Sequence, residues 1–166
     1  MAIFTWKKES VPKELKITQV YGIIFSRDGR VLLKVEEKRG KKEYSFAGGH
    51  PEIYDSGIAE TLRREVIEEV NITVCEPVFV GYQEVDEENG TPLYAQVRMT
   101  ATIDEVGAIR PDIDNGKTYG RLLAPPMRAA ELLGWGEVGF KQISAAMEIA
   151  VNTFKISEFS EKEEYI

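Results

Sequence analysis

The sequence predicts a domain that mixes α-helix with β-strand, and three observations carry that reading. Two sets of β-rich runs each flank a tight-turn pair, Asp28-Gly29 in "VYGIIFSRDGRVLLKVEE" and Asn89-Gly90 in "PVFVGYQEVDEENGTPLYAQVRMTATI". Such pairs supply the backbone conformations that a hairpin turn needs. Between the hairpins, Ile58, Ala59, Leu62, Val66 and Val70 recur at steps of three and four, the spacing of a buried helix face. Phe140, Ile143, Met147, Val151 and Phe154 make a second apolar stripe near the end. This order of elements supports α and β mixed in one domain over residues 1–166, and nothing finer.

Bulk properties agree with that class. A chain of 166 residues is long enough for one domain with a real core. Its 43% apolar and 30% charged residues are the balance of a globular chain rather than a disordered one. No apolar run approaches the roughly 18 residues that span a bilayer, and no secretory start is legible, so no membrane partner and a cytoplasmic location are expected. The single cysteine, Cys75, rules out an internal disulfide framework and a sulfur cage for zinc or iron. A net charge of -7 argues against a nucleic-acid duplex as partner, which calls for a basic stripe. Small anionic ligands would need a cation to bridge them to so acidic a chain.

Taken in order, the residues up to Lys16 are charged and weakly patterned, and the first hairpin follows. Lys38 to Lys42 reads as a basic loop, and "EYSFAGG" as a short strand ending in a glycine turn. Asp55 or Ser56 is the expected N-cap of the next helix, and Asn71, at home in the left-handed conformation, its stop. After the second hairpin, "DEVGAIRPDIDNGKTYGRLLAPP" is a long Gly-, Pro- and Asp-rich loop of the kind that carries function. "MRAAELLGWG" reads as a short helix before the longer striped one, with Trp135 a structural anchor. Residues 157–166, ending "SEFSEKEEYI", read as a frayed acidic tail.

The chemistry concentrates in "GGHPEIYDSGIAETLRREVIEEVNI", residues 48 to 72. At about 100° per residue, Glu65, Glu68 and Glu69 fall within an arc of about 100° at the border of the apolar stripe. Like charges at this spacing repel, so a compensating cation is expected. Arg63, Arg64 and the basic loop can supply it, leaving a merely solvated acidic face. A hard divalent ion, magnesium or manganese, is the other answer, since it takes carboxylate oxygens together with substrate phosphates.

These residues resemble the signature of the Nudix hydrolase family. "REVIEEVNI" at 64–72 matches its second half, with Asn71 in place of the glycine, and "YSFAGGH" resembles the strand and double-glycine turn that precede it. Counted from Gly49, Asp55 takes the place of the first glutamate but lies one residue too far from Arg64; counted back from Arg64, Ser56 takes it. A one-residue insertion in the loop reconciles the two.

The resemblance implies a Nudix-like α/β/α sandwich with a mixed, partly antiparallel sheet. It implies a nucleotide pyrophosphohydrolase, MutT-like, that cleaves a nucleoside diphosphate linked to another group with Mg2+ or Mn2+; the alternative is a non-catalytic nucleotide-binding module. Gly48, through its carbonyl, Glu65, Glu68 and Glu69 would hold the metal, and Arg64 would orient a glutamate. Gly49, His50, Tyr44, Asp112 and Asp114 are candidate substrate contacts, the two aspartates ranking ahead of Glu84 and Glu105 as a further acidic residue. Glu52 and Tyr119 are weaker candidates, and Arg121 reads as half of a structural ion pair. The small-molecule partner would be a nucleotide or nucleoside-diphosphate derivative, and the resemblance leaves monomer and homodimer both open.

Overall fold

The computed structural model describes residues 1–166. The strands are β1 (Ile3–Lys7), β2 (Lys16–Phe25), β3 (Val31–Lys38), β4 (Lys41–Ser45), β5 (Ala47–Gly49), β6 (Ile72–Val74), β7 (Val78–Asp86), β8 (Tyr94–Val106), β9 (Gly120–Ala124) and β10 (Glu164–Tyr165). The helices are α1 (Ile58–Val70), α2 (Pro126–Leu133) and α3 (Glu137–Asn152). The sheet runs β1-β7-β8-β2-β3-β9-β10, with β4 paired to β3, β5 to β2 and β6 to β8. Only the β2–β8 pairing is parallel, so the sheet is mixed.

Period-two alternation along the strands sends one core to each face. Val20 and Ile24 of β2, Leu32 of β3 and Val97 of β8 pack with Leu62, Val66 and Val70 of α1. Ile23, Phe25, Leu33 and Leu122 pack on the other face with Ala129 and Leu133 of α2 and Ile143 and Ala146 of α3. The result is a sheet between helices, an α/β sandwich, as expected. Both hairpins form at their expected turns: Ser26 N–H donates to the Arg30 carbonyl at 2.8 Å, and Gly29 and Gly90 have φ of 80° and 85°.

Several local expectations are corrected. The opening segment contains β1, which pairs along β7 from Ile3↔Asp86 to Lys7↔Tyr82. The expected basic loop at 38–42 is a hairpin tip, with Arg39 and Gly40 both at positive φ and Lys38 paired to Lys41. On α3 the buried face runs through Gly139, Gln142, Ile143, Ala146 and Ala150, while Val151 of the expected stripe is exposed. Small residues let this helix sit close on the sheet, so its contact line follows them rather than the bulkiest side chains.

The expected frayed tail at 157–166 is docked. β10 pairs antiparallel with β9, Ser160 N–H donates to the Asp28 carbonyl at 2.8 Å, and Phe159 packs on the α2/α3 core. Its acids find cations, Glu164 with Arg30 at 3.0 Å and Glu163 with Arg128 at 3.4 Å. Composition alone hid those long-range partners.

Candidate functional site

The site is assembled from the β5 glycine turn and one side of α1. At Gly49, an added Cβ would lie 2.4 Å from the Glu65 carboxyl carbon, so this carboxylate rests directly on the glycine backbone. At Gly48, a Cβ would lie 2.2 Å from the Val20 carbonyl oxygen. Bare backbone is required at Gly48, which abuts the β2 backbone, whereas at Gly49 a side chain would displace the Glu65 carboxylate. The Gly48 N–H donates to Glu69 Oε1 at 2.7 Å, and the Lys34 ammonium of β3 bonds Glu69 Oε2 while lying 4.7 Å from the centre of the Tyr119 ring.

Arg64 organises the other two glutamates. Its Nε and Nη2 donate to Asp55 Oδ1 and Oδ2, both at 3.0 Å, a bidentate pair. Its Nη1 donates to Glu65 Oε1 at 2.8 Å and Glu68 Oε2 at 3.2 Å, and Nη2 also reaches the His50 carbonyl at 2.9 Å. Asp55 further accepts from Thr61 Oγ1 at 2.8 Å and Glu52 N–H at 2.9 Å. Its oxygens are thereby engaged, and neither Asp55 nor Ser56 caps α1; Gly57 stands at the N-cap with no side-chain cap. The ambiguity left by the residue spacing is resolved in favour of Asp55. Asn71 does end the helix, at φ 51° and ψ 49°.

Electrostatics follow from this arrangement. The hydrogen-bonded Arg64 guanidinium holds the Asp55 carboxyl well below the usual carboxylate range, and Asp55 in turn raises Arg64. Burial pushes Glu65, Glu68 and Glu69 up; Arg64 opposes the rise at the first two and Lys34 at the third. Asp114 and Asp112 raise Glu68 further through their charge, so the 107–119 loop does come near this face.

The remaining expected residues separate into near and far. Asp112 is buried and staples its own turn, accepting from Asp114 N–H at 2.8 Å and Asn115 Nδ2 at 3.3 Å, whereas Asp114 is exposed. His50 is exposed, with Nδ1 2.8 Å from the Thr18 carbonyl. Tyr44 does not join the group, because it packs against the core beneath α2 and α3. Glu84 pairs with Lys7 at 3.1 Å on the β1–β7 edge, and Glu52 and Glu105 are exposed. Tyr119 is buried and accepts from Asn115 at 3.0 Å. Arg121 is not half of an ion pair: its Nη1 clamps the Val70 carbonyl at 3.0 Å and the Gly107 carbonyl at 2.7 Å.

A family model of the NUDIX domain matches residues 16–116, well over half of the chain. The chain belongs to the NUDIX family. No curated protein sequence matches it. Among solved structures it is similar to the pyrophosphohydrolase BsRppH of Bacillus subtilis, at 20% identity and TM-score 0.67 over 87% of this chain and 90% of that one. It is also similar to a MutT protein from Bacillus halodurans, at 22% identity and TM-score 0.56 over 75% and 78% of the two chains. A third likeness, at 15% identity and TM-score 0.58 over 81% and 88%, is to the NUDIX domain of Shewanella oneidensis NrtR complexed with ADP ribose. These likenesses establish a shared fold.

Whether this Nudix box suits a divalent ion is a question for its donors. No three acidic or imidazole side chains converge as a ready-made ion cage, because Arg64 and Lys34 draw the carboxylates onto themselves. The donor set itself is hard oxygen throughout, and Glu65 and Glu68 each keep one oxygen outside the Arg64 bonds. Glu65 is also pressed against bare backbone in a cradle that a Cβ would fill. These residues fit a magnesium- or manganese-like ion.

Sequence reading missed a second polar centre in this Nudix domain, on the α3 face. Arg98 of β8 is 3% exposed, yet Nε donates to Gln142 Oε1 at 2.8 Å and Nη2 to Gln83 Oε1 at 2.9 Å, both neutral amides. Its guanidinium lies 4.9 Å from the Tyr21 ring centre and 5.6 Å from that of Trp135. Burial pulls its pKa down to about 10, and no carboxylate offsets that. The available signal was a charged residue at an inward position of the apolar alternation in "QVRMTATI".

Proposed function

We propose that this protein is a divalent-metal-dependent hydrolase of the pyrophosphate bond in a nucleoside diphosphate linked to another group. The observation that carries the reading is the Arg64 hub. One guanidinium ties Asp55, Glu65 and Glu68 into a single rigid unit beside the Gly48–Gly49 turn. Glu65, Glu68 and Glu69, with the Gly48 carbonyl, are the groups that would hold magnesium or manganese. When bound, the ion would supply neutralisation of phosphate charge and activation of an attacking water.

The chain's own residues do the positioning. Arg64 fixes two carboxylates at once, so neither has to be ordered during the reaction. Lys34 and the Gly48 N–H fix Glu69 through both of its oxygens. Glu65, raised by burial and resting on Gly49, is placed to accept a proton from water at its free oxygen. His50 and the exposed Asp114 stand on the two loops that border the glutamates, where substrate phosphates or sugar would pass. The decisive test is a panel of nucleotides incubated with magnesium, with manganese and with chelator. Metal-dependent release of a mononucleotide establishes the reaction, and no release from any compound by folded protein refutes it.

A second reading, a nucleotide-binding module without turnover, is favoured by one observation: Arg64 and Lys34 already neutralise much of the glutamate cluster. The NrtR domain complexed with ADP ribose is a structural relative in a ligand-bound state. Tight nucleotide binding with no product after long incubation would select this reading.

A further inference from the structure

Asn71 stands where the Nudix signature has glycine, and ending the helix does not explain the choice. At φ 51° and ψ 49° it closes α1 in the left-handed conformation, and its N–H donates to the Ile67 carbonyl at 3.0 Å. Glycine meets both demands at lower conformational cost. What glycine lacks is the side chain. The Asn71 carboxamide uses it for one bond, in which Nδ2 donates to the Ala108 carbonyl at 2.9 Å.

Ala108 lies at the start of the 107–119 loop, and that start is fastened to the end of α1. The Gly107 N–H donates to the Asn71 carbonyl at 2.9 Å, and Arg121 Nη1 bridges the Val70 and Gly107 carbonyls. Arg110 Nη2 reaches the Ile67 carbonyl at a long 3.5 Å. The last turn of α1 has no basic residue of its own, so Arg110 and Arg121 supply the cations that its carbonyls attract. Room is left for the asparagine, because a Cβ at Gly107 would lie 2.3 Å from Asn71 Nδ2. Bare backbone on the loop and an amide on the helix make a fitted pair.

The same end of the helix carries the chemistry. Glu68 and Glu69 lie in the last turn of α1, and Asp112 and Asp114 follow Ala108 by four and six residues. The acidic turn holds its own shape: the Asp112 N–H donates to the Lys117 carbonyl at 2.7 Å, and the Gly116 N–H to the Asp112 carbonyl at 2.9 Å. Its far side is tied to β3, where Lys117 Nζ donates to Glu36 at 2.7 Å. On the near side, α1 offers residues 109–111 only the long Arg110 contact. The Asn71 amide is therefore the last firm point before the acidic turn, and it sets how far Asp112 and Asp114 stand from Glu68.

We infer that Asn71 is a positioning residue: its side-chain amide clasps the 107–119 loop to the end of α1, holds Asp112 and Asp114 against the glutamate face, and so strengthens the hold of that face on a divalent ion. The inference rests on the metal-dependent reading above and adds to that site a tie that glycine could not make.

The test compares the full chain with Asn71→Gly, which keeps the helix stop and removes only the side chain. Two readouts need no substrate: hydrogen exchange at the Gly107 amide, followed by nuclear magnetic resonance, and Mn2+ affinity, followed by electron paramagnetic resonance. Exchange at Gly107 should speed up by about fivefold, with the Val66 amide inside α1 unchanged. Mn2+ binding should weaken by about fivefold. An asparagine with a purely structural role predicts neither change, because glycine suits the left-handed position at least as well. Asn71→Asp tolerates the same conformation but cannot donate, so it should repeat the faster exchange. Asp114→Asn should weaken Mn2+ binding by itself, and Asn71→Gly added to it should cost less than it does alone, since the amide acts through the loop acids. Unchanged exchange at Gly107 in Asn71→Gly, unchanged Mn2+ affinity beside a wild type that binds the ion, or fully additive losses in the double variant would each overturn the inference. A wild type that binds no Mn2+ would refute the metal reading and with it the effect on the ion, while faster exchange at Gly107 would still establish the clasp. Mn2+ binding and the clasp without turnover of any nucleotide would refute the hydrolase reading alone.

Discussion

Arg64 and Arg98 are both largely buried, on opposite faces of the same sheet, and their surroundings are opposite in kind. Arg64 meets three carboxylates within hydrogen-bond reach, so one positive charge is shared among three negative ones. Arg98 meets glutamine amides and aromatic rings. The first arrangement orders a set of acids in advance and keeps their repulsion in check. The second holds a cation still without cancelling it. A buried charge paired with opposite charges orders its partners; one held by neutral amides bears more of the cost of its burial.

Substitutions on the Arg64 side test that contrast. The largest expected effect is on turnover: Glu68→Gln should lower metal-dependent hydrolysis by about a hundred- to a thousandfold, measured at saturating magnesium with the far-ultraviolet spectrum unchanged. Full activity in that variant would remove Glu68 from the chemistry.

Next comes stability. Asp55 is lowered in the folded state by Arg64, so its contribution is present above its unfolded pKa of about 4 and is lost as pH falls through the folded value. Asp55→Asn should cost about 2 kcal/mol in urea denaturation at pH 7, with the gap closing as pH drops below about 4. A pH-independent difference would mean that shape rather than charge sets the role of Asp55.

Gly49→Ala should follow, with about a tenfold loss of activity, because the added Cβ meets Glu65 at 2.4 Å and must displace it. Unchanged kinetics would show that the resting position of Glu65 is not the working one. The smallest effect belongs to Arg63, beside Arg64 in sequence but bound only to the exposed Glu60 and Glu76. Arg63→Ala should shift stability by no more than about 0.5 kcal/mol and leave turnover unchanged, which isolates the contribution of Arg64 from charge on the helix in general.

The sequence by itself determined the elements whose causes are local. Asp28-Gly29 and Asn89-Gly90 encode their turns, the three- and four-residue steps from Ile58 to Val70 encode α1, and Asn71 encodes its end. The arc holding Glu65, Glu68 and Glu69 follows from helix geometry alone, and the box around it marked the family. What depended on distant partners was invisible. Spacing left Asp55 and Ser56 equivalent until the loop closed and Arg64 bonded one of them. The acidic tail looked free until Arg30 and Arg128 stood beside it. Tyr44 was adjacent to the glycine turn in sequence, yet strand alternation turned it to the opposite face. Arg98 required the most of tertiary structure, because Tyr21, Gln83, Gln142 and Trp135 come from four separate segments of the chain. Local periodicity specifies which way a side chain faces; only packing specifies what it meets there.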